Sequence, residues 1–311
     1  MYYPLLRARQ FELITLRELA NEELTQGYVI PIFEPVKESN NNLNLAYNVF
    51  SEKEQIVYLI VNPIVGEIDG DNTHFLDYIK PLDSDIIKPA FYYHNNADYI
   101  KNSISKYSFK NCMLICHNDV SADNNDFKEL VELNEITAIN IEDPGRNRSL
   151  DRFIRSLNKT YIRLDDLFEK QARNSDFLTI EQHRFSEEHL YYSQEGYSGF
   201  SDYTVLPNEF SDGGSTPRAV AIHLTYLNGE NQIWIRHFTS ETNDSIANVQ
   251  GKFAEASEKA VKYCRENGLN NSAIQELEKY FDEEHYPGLG TVKKLSIKNH
   301  ILIIRHFLAN R

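Results

Sequence analysis

What most constrains this chain is a series of short β-type runs whose starts lie about 23 to 30 residues apart, the spacing a crossover helix requires. They are Tyr2–Leu6, Tyr28–Phe33, Ile56–Val61, Ile86–Tyr93, Cys112–Cys116, Ile136–Ile141 and Tyr161–Leu164. Each is rich in Ile, Val, Tyr or Phe, and several are apolar almost throughout, as strands covered on both faces are. Stretches with helical spacing lie between them. Phe11, Ile14, Leu16, Leu19 and Leu24 follow the first run, Phe127, Leu130, Val131 and Leu133 the fifth, and Leu150, Phe153, Ile154 and Leu157 the sixth. Seven βα units exceed a six-stranded open sheet. The expected fold is therefore α/β, a (β/α)8 TIM-barrel-like domain with an added β-hairpin and C-terminal helices. An open doubly wound sheet is the alternative. No GxGxxG turn or GxxxxGK[ST] loop follows any run, which argues against the nucleotide-binding versions of that sheet.

The second half changes character. A polar stretch after Asp165-Asp166 leads to Gly196–Leu206, and a turn-rich loop from Asn208 to Arg218 carries Gly213, Gly214 and Pro217. Ala219–Tyr226 and Gln232–Phe238 flank Asn228-Gly229, a strong hairpin signal. The eighth barrel strand is expected from Tyr203–Leu206 or from the first hairpin arm. The remainder reads as helices over 246–267, 272–286 and 292–308. Without a polar linker the chain is expected to be one domain over 1–311, with βα repeats in 1–206, loop and hairpin in 207–245 and a helical tail in 246–311.

The 311 residues carry 32 Lys+Arg against 46 Asp+Glu, a net charge of −14. Such a field repels phosphate backbones and argues against a broad nucleic-acid surface, though not against a local basic pocket. Cys112 and Cys116 share a strand face about 13 Å apart by strand rise, too far for a disulfide. With Cys264 they suit a reducing cytoplasm. No apolar run approaches the ~20 residues of a membrane span, and the start lacks the charged-then-apolar pattern of a secretory signal. A cytoplasmic location is expected.

Parallel barrels place their chemistry at the C-terminal ends of the strands. Here the runs end in Arg7 and Arg9, Glu34, Asn62, His94, His117 with Asp119, Glu142 with Asp143, and Asp165 with Asp166, while Arg163 lies inside the seventh. Glu34, His117, Glu142 and Asp165 are the candidate catalytic groups; Arg7, Arg9, Arg163 and His94 are candidate substrate or anion contacts. Guanidinium groups match phosphate or carboxylate bidentately. Glu34, His94, His117, Asp119, Glu142 and Asp165 would suit a divalent metal of mixed carboxylate and imidazole ligation; the same carboxylates would equally serve as an acid/base pair without one. Asp119, Asp143 and Asp165 also satisfy the simpler reading of helix N-caps. No GxSxG elbow surrounds a serine or cysteine. The metal, cofactor and substrate are not specified by any spacing.

The opening MYYPLLRARQFE with Leu16-Arg17-Glu18-Leu19, the block Gly199–Tyr203, and His223-Leu224-Thr225-Tyr226 with Trp234–Phe238 resemble the prokaryotic and phage "Beta protein" family. The likeness is to the subgroup encoded beside a small restriction-nuclease-like partner, and it runs from residue 1 to about 265. The resemblance implies a barrel-like fold and a role in phage–host conflict. It singles out Arg7, Arg9, Glu12, Asp202, His223, Arg236 and His237, of which Asp202, His223, Arg236 and His237 join the candidate anion contacts. Many relatives have Lys-x-Lys where this chain has Arg7 and Arg9, so anion binding survives the difference but a lysine-specific covalent role does not. Two functions are then expected. One is a two-gene anti-phage component that binds a ligand or phage product and regulates a nuclease-like partner. The other is a barrel phosphodiesterase or hydrolase acting on a small phosphorylated or nucleotide substrate.

Overall fold

The computed structural model describes residues 1–213 and 216–311. Gly214 of the expected turn-rich loop lies outside the described residues. The strands are β1 (Leu5–Arg7), β2 (Ile32–Glu34), β3 (Val57–Ile60), β4 (Ile87–Tyr93), β5 (Cys112–Cys116), β6 (Ile136–Glu142), β7 (Thr160–Asp165), β8 (Gln182–Ser186), β9 (Gly199–Asp202), β10 (Ala221–Leu227) and β11 (Ile233–Thr239). The helices are α1 (Gln10–Asn21), α2 (Asn41–Glu52), α3 (His74–Ile79), α4 (Ala97–Tyr107), α5 (Asn125–Glu132), α6 (Arg148–Ser156), α7 (Phe177–Ile180), α8 (Glu188–Tyr191), α9 (Val249–Asn267), α10 (Ser272–Asp282) and α11 (Leu289–Ala309). Where the sequence was read as one domain, the chain groups into two compact units, Met1–Asp166 with Tyr191–Tyr203, and Leu167–Leu190 with Thr204–Arg311.

The first unit is the expected barrel. Its strands run β1-β2-β3-β4-β5-β6-β7-β9, every neighbouring pair parallel. Tyr2 bridges both Val29 and Phe200 and so draws β9 back to β1. Tyr3 N–H donates to the Phe200 carbonyl at 2.8 Å, and Ser201 Oγ donates to the Tyr3 carbonyl at 2.5 Å. A Cβ on Gly199 would stand 2.5 Å from the Tyr3 ring, so this closure requires glycine. The eighth strand is thus Gly199–Asp202, just before the Tyr203–Leu206 segment proposed for it, and not the hairpin arm. The first two strands are shorter than their apolar runs because Pro4 and Pro31 lack the N–H a ladder needs.

Register decides which side chains face inward. Leu5 pairs with Ile32, Ile32 with Tyr58, Ile60 with Ala90, Ala90 with Met113, Met113 with Ala138 and Ile162 with Gly199. These residues other than Gly199, with Tyr3, Tyr92, Ile115, Leu164 and Tyr203, form one buried cluster, the barrel interior. Alternation then fixes the inward set at the C-terminal ends: Arg7, Glu34, Asn62, Tyr92, His117, Glu142 and Tyr203. The outer helices bury their apolar stripes, such as Leu13, Leu16 and Leu19 of α1 and Phe127, Leu130 and Val131 of α5. Their caps fall to asparagines: Asn124 accepts from Phe127 N–H and Asn147 from Leu150 N–H. Asp143 and Asp165 engage Arg146 and Arg163 instead.

In the second unit the antiparallel sheet has the order β10-β11-β8. The hairpin between β10 and β11 closes on the Asn228 side chain, which accepts from the N–H groups of Glu230 and Gln232 at 3.0 and 2.8 Å. The left-handed residue of that loop is Asn231 rather than Gly229. Strand β8 lies inside the stretch that reads as merely polar. Helix α9 ends at left-handed Gly268, and buried Asn299 of α11 donates to the Thr225 carbonyl at 2.8 Å. Among the described residues no helix is long and apolar enough to cross a membrane.

Candidate functional site

Two ionic pairs occupy the C-terminal mouth of the barrel. Arg7 at the end of β1 pairs with Glu34 at the end of β2. The Glu34 carboxylate is fully buried and also accepts from Tyr92 Oη–H at 3.1 Å and from Ile64 N–H at 2.9 Å. A buried carboxylate demands such a shell, because an unpaired charge there would cost about 3–5 kcal/mol. Arg7 also lies over the Tyr203 ring, 5.7 Å from its centroid. Asn62 fixes the neighbouring strand end by acting as an extra ladder rung: its amide donates to the Tyr92 carbonyl and accepts from Tyr92 N–H, both at 2.9 Å.

The second pair is His117 and Glu142, joined through His117 Nδ1. His117 directly follows β5 and Glu142 ends β6, and the register sets them side by side. The His117 side chain is 41% exposed and that of Glu142 is 20%, so this pair meets water where Arg7–Glu34 does not. The hydrogen bond from Glu142 holds the His117 pKa above its ordinary value, against the opposing effect of burial. A carboxylate on Nδ1–H also sets the tautomer of the neutral ring, leaving Nε2 as a proton acceptor. Tyr92 links the two pairs, since its ring stacks parallel to His117 at 6.3 Å while its hydroxyl binds Glu34. Burial keeps the Tyr92 and Tyr203 phenols protonated by raising both pKa values. Below Glu142, Asn140 is fully buried between inward-facing Ile115 and Ile162, with neither amide atom bonded among the described residues.

Four candidates therefore converge: Arg7, Glu34, His117 and Glu142. Others lie elsewhere. Arg163 and Asp165 alternate out of phase with the inward Ile162 and Leu164, and bind each other through Nε at 2.7 Å and Nη2 at 3.1 Å. Burial raises the Asp165 pKa, opposed by Arg163. Asp202 takes the Tyr2 hydroxyl at 2.6 Å on that same outer face. Arg9 stands at the start of α1, its carbonyl accepting from Leu13 N–H. His94 lies 3.5 Å from Asp71 on the rim. In the second unit, His223 and His237 pair with each other across β10 and β11, and Arg236 pairs with Glu181.

The proposed metal ligands do not fit a metal. Glu34 is spent on Arg7, Tyr92 and Ile64, His117 on Glu142, and Asp165 on Arg163. Among the described residues no group of three or more His, Cys, Asp or Glu is arranged to hold an ion. Reading strand ends from sequence found Asn62 but missed Tyr92, Tyr203 and Asn140. The inward alternation through Ile115–His117 and Ala138–Glu142 was the signal that would have found Asn140.

No protein-family model matches the chain, and no curated protein matches it. Among solved structures, the chain is similar to CdNal from Clostridium difficile, solved in complex with mannosamine, at 13% identity and a TM-score of 0.42 over 97% of each chain.

Proposed function

We propose that this is a barrel enzyme that hydrolyses a small phosphorylated substrate at the mouth of the barrel. The observation that supports this most is the half-exposed His117–Glu142 pair at the catalytic end of a parallel barrel. In this reading His117 Nε2 takes a proton from the attacking water as the new P–O bond forms. The imidazolium, stabilised by Glu142, returns that proton to the departing oxygen as the old P–O bond breaks. Arg7 and the Tyr203 phenol supply hydrogen-bond donors to the anionic oxygens. The test is turnover of p-nitrophenyl phosphate and bis(p-nitrophenyl) phosphate by the full chain. His117→Ala and Glu142→Gln should abolish it while leaving the melting temperature nearly unchanged. Wild-type inactivity on both esters, with no melting shift in phosphate, overturns the reading.

A second reading draws on the family resemblance and the net charge of −14. In it the chain is the cytoplasmic partner of a nuclease-like protein encoded beside it, and it senses a ligand or phage product. An acidic surface suits contact with a basic nuclease face. Co-expression with the neighbouring gene product should give a stable complex whose assembly weakens with salt. Recovery of both proteins as separate species at low salt would overturn it.

A further inference from the structure

The second unit contains a groove of about 410 Å³ at the C-terminal end of β11, where β8 no longer pairs with it, between the end of α7 and the face of α9. That volume lies in the range of small-molecule sites. Two buried polar side chains belong to its lining: His237, 4% exposed, and Thr239, 2% exposed. Alternation puts them on one face of β11. His237 Nε2 and Thr239 Oγ1 have no hydrogen-bond partner among the described residues. Buried donors left unmatched are costly, and in native proteins they demand a partner.

The polarity of that partner follows from the neighbours. His223 Nδ1 lies 2.7 Å from His237 Nδ1, so one proton joins the rings. When His223 donates it, His237 carries its own proton on Nε2 and becomes a donor. Thr239 Oγ–H is a second donor. Three cations and three acids line the groove, Arg236, Lys259 and Lys262 against Glu181, Glu241 and Glu266, and within its two ion pairs the cation is drawn in and the acid leans out. The Arg236 and Lys259 side chains are 21% and 39% exposed, whereas Glu181 and Glu241, which pair with them, are 63% and 72% exposed. Lys262 also lines the groove. The Arg236 guanidinium lies 4.4 Å over the Tyr263 ring, and the two form a flat wall where the groove turns past the strand onto the face opposite His237 and Thr239.

We propose that this groove is a second ligand site, taking an oxyanion carried on a planar ring. The oxyanion is held by Thr239 Oγ–H, His237 Nε2–H and Lys262, and the ring packs against the Arg236–Tyr263 wall. The oxyanion is a carboxylate or a phosphate, the two having the same acceptor chemistry. The site does not depend on the barrel-mouth reading. It gives a role to Arg236 and His237, which the hydrolytic mechanism leaves unused.

Calorimetry and side-chain nitrogen NMR on the full chain test it with two probes, benzoate and adenosine 5′-monophosphate, and with inorganic phosphate as the bare anion. One ring-bearing probe should bind with a dissociation constant of about 1 mM or tighter, and should move the His237 Nε2 resonance. Binding by benzoate identifies a carboxylate, and binding by the nucleotide a phosphate. Thr239→Val, which keeps the side-chain shape, should weaken binding by about fivefold or more with the melting temperature unchanged. Lys262→Ala should do the same from the surface. His117→Ala should leave it intact, which separates this site from the barrel mouth. Failure of both ring-bearing probes to bind, or binding indifferent to Thr239→Val and Lys262→Ala together, overturns the proposal. So does inorganic phosphate binding as tightly as the nucleotide, because the ring would then contribute nothing.

Discussion

Two histidine pairs, one in each unit, show how surroundings decide what an imidazole can do. His117 has a carboxylate partner and partial access to water, and its pKa rises. His223 and His237 have each other, with the His183 ring 5.3 Å from that of His237 and with Phe168 and Phe177 packed edge-on or tilted against them. Burial drives their pKa values down to about 4 and about 3. The first pair holds its proton more tightly than a free imidazole does and meets water that can exchange it. The second is held neutral across that range and can act only through hydrogen bonds. The same residue type is thus favoured in its protonated form at the barrel mouth and is a neutral donor or acceptor on the hairpin.

The largest effect expected from breaking this contrast is on turnover. Glu142→Gln removes the charge that raises the His117 pKa, so the ring becomes a weaker base and loses its fixed tautomer. Where the wild-type enzyme turns over a phosphate ester, the variant should lose roughly 10²- to 10⁴-fold in kcat. The pH–rate profile should shift its limb for the basic group downward. An unchanged profile would show that the pair does not carry the proton.

Acid should expose the hairpin pair next. Both histidines have folded pKa values below the unfolded value of about 6.5, so their contribution to stability is complete above that pH. It shrinks as pH falls, because the unfolded chain binds protons the folded chain refuses, and it stops shrinking once pH passes the folded values. The slope approaches about 1.4 kcal/mol per pH unit for each group. His189, held at about 4 mainly by burial, adds to it. Hydrogen exchange at the β10 and β11 amides between pH 7 and pH 4 measures this loss, and flat protection would contradict it. His117 behaves in the opposite sense. Its contribution is present below about 6.5 and fades as pH rises through the raised folded value. At 41% exposure, screening keeps that contribution under about 1 kcal/mol.

The barrel was legible because βα repetition and fully buried strands leave a strong periodic trace. Four mouth residues were legible for a related reason, since a polar group just after an apolar run has few structural explanations. Asp165 shows where this reasoning fails. It ends β7 as Glu142 ends β6, yet it lies on the other face, because Ile162 and Leu164 are the inward residues of that strand. The face of a strand is fixed by register with its neighbours, which only the folded sheet supplies. Strand β8 was hidden for another reason. Gln182 to Ser186 is an edge strand with exposed or half-exposed polar residues, so it carries no apolar alternation to read. Tyr92 and Tyr203 were hidden by chemistry, as a tyrosine in an apolar run reads as packing until its hydroxyl is seen beside Glu34 or opposite Arg7. Asp165→Asn tests the distinction between strand end and site. It should lower stability by about 1–3 kcal/mol through the lost Arg163 partner, while any turnover stays within about twofold of wild type.

The smallest expected effect is Tyr92→Phe, and it sharpens the contrast within the mouth itself. The substitution keeps the ring stacked on His117 and removes only the hydroxyl that donates to Glu34. Glu34 retains Arg7 and the Ile64 N–H, so the buried carboxylate stays paired, and the loss should be about 1.5 kcal/mol, the lower end for a bond to a charged group. Chemical denaturation with an unchanged m value would measure it. If Arg7–Glu34 is scaffolding and His117–Glu142 the working pair, Tyr92→Phe should lower the denaturation midpoint while leaving the pH–rate profile in place. A shift in the profile without a change in midpoint would reverse those assignments, placing Glu34 in the proton path and making Tyr92 the bridge between the two pairs.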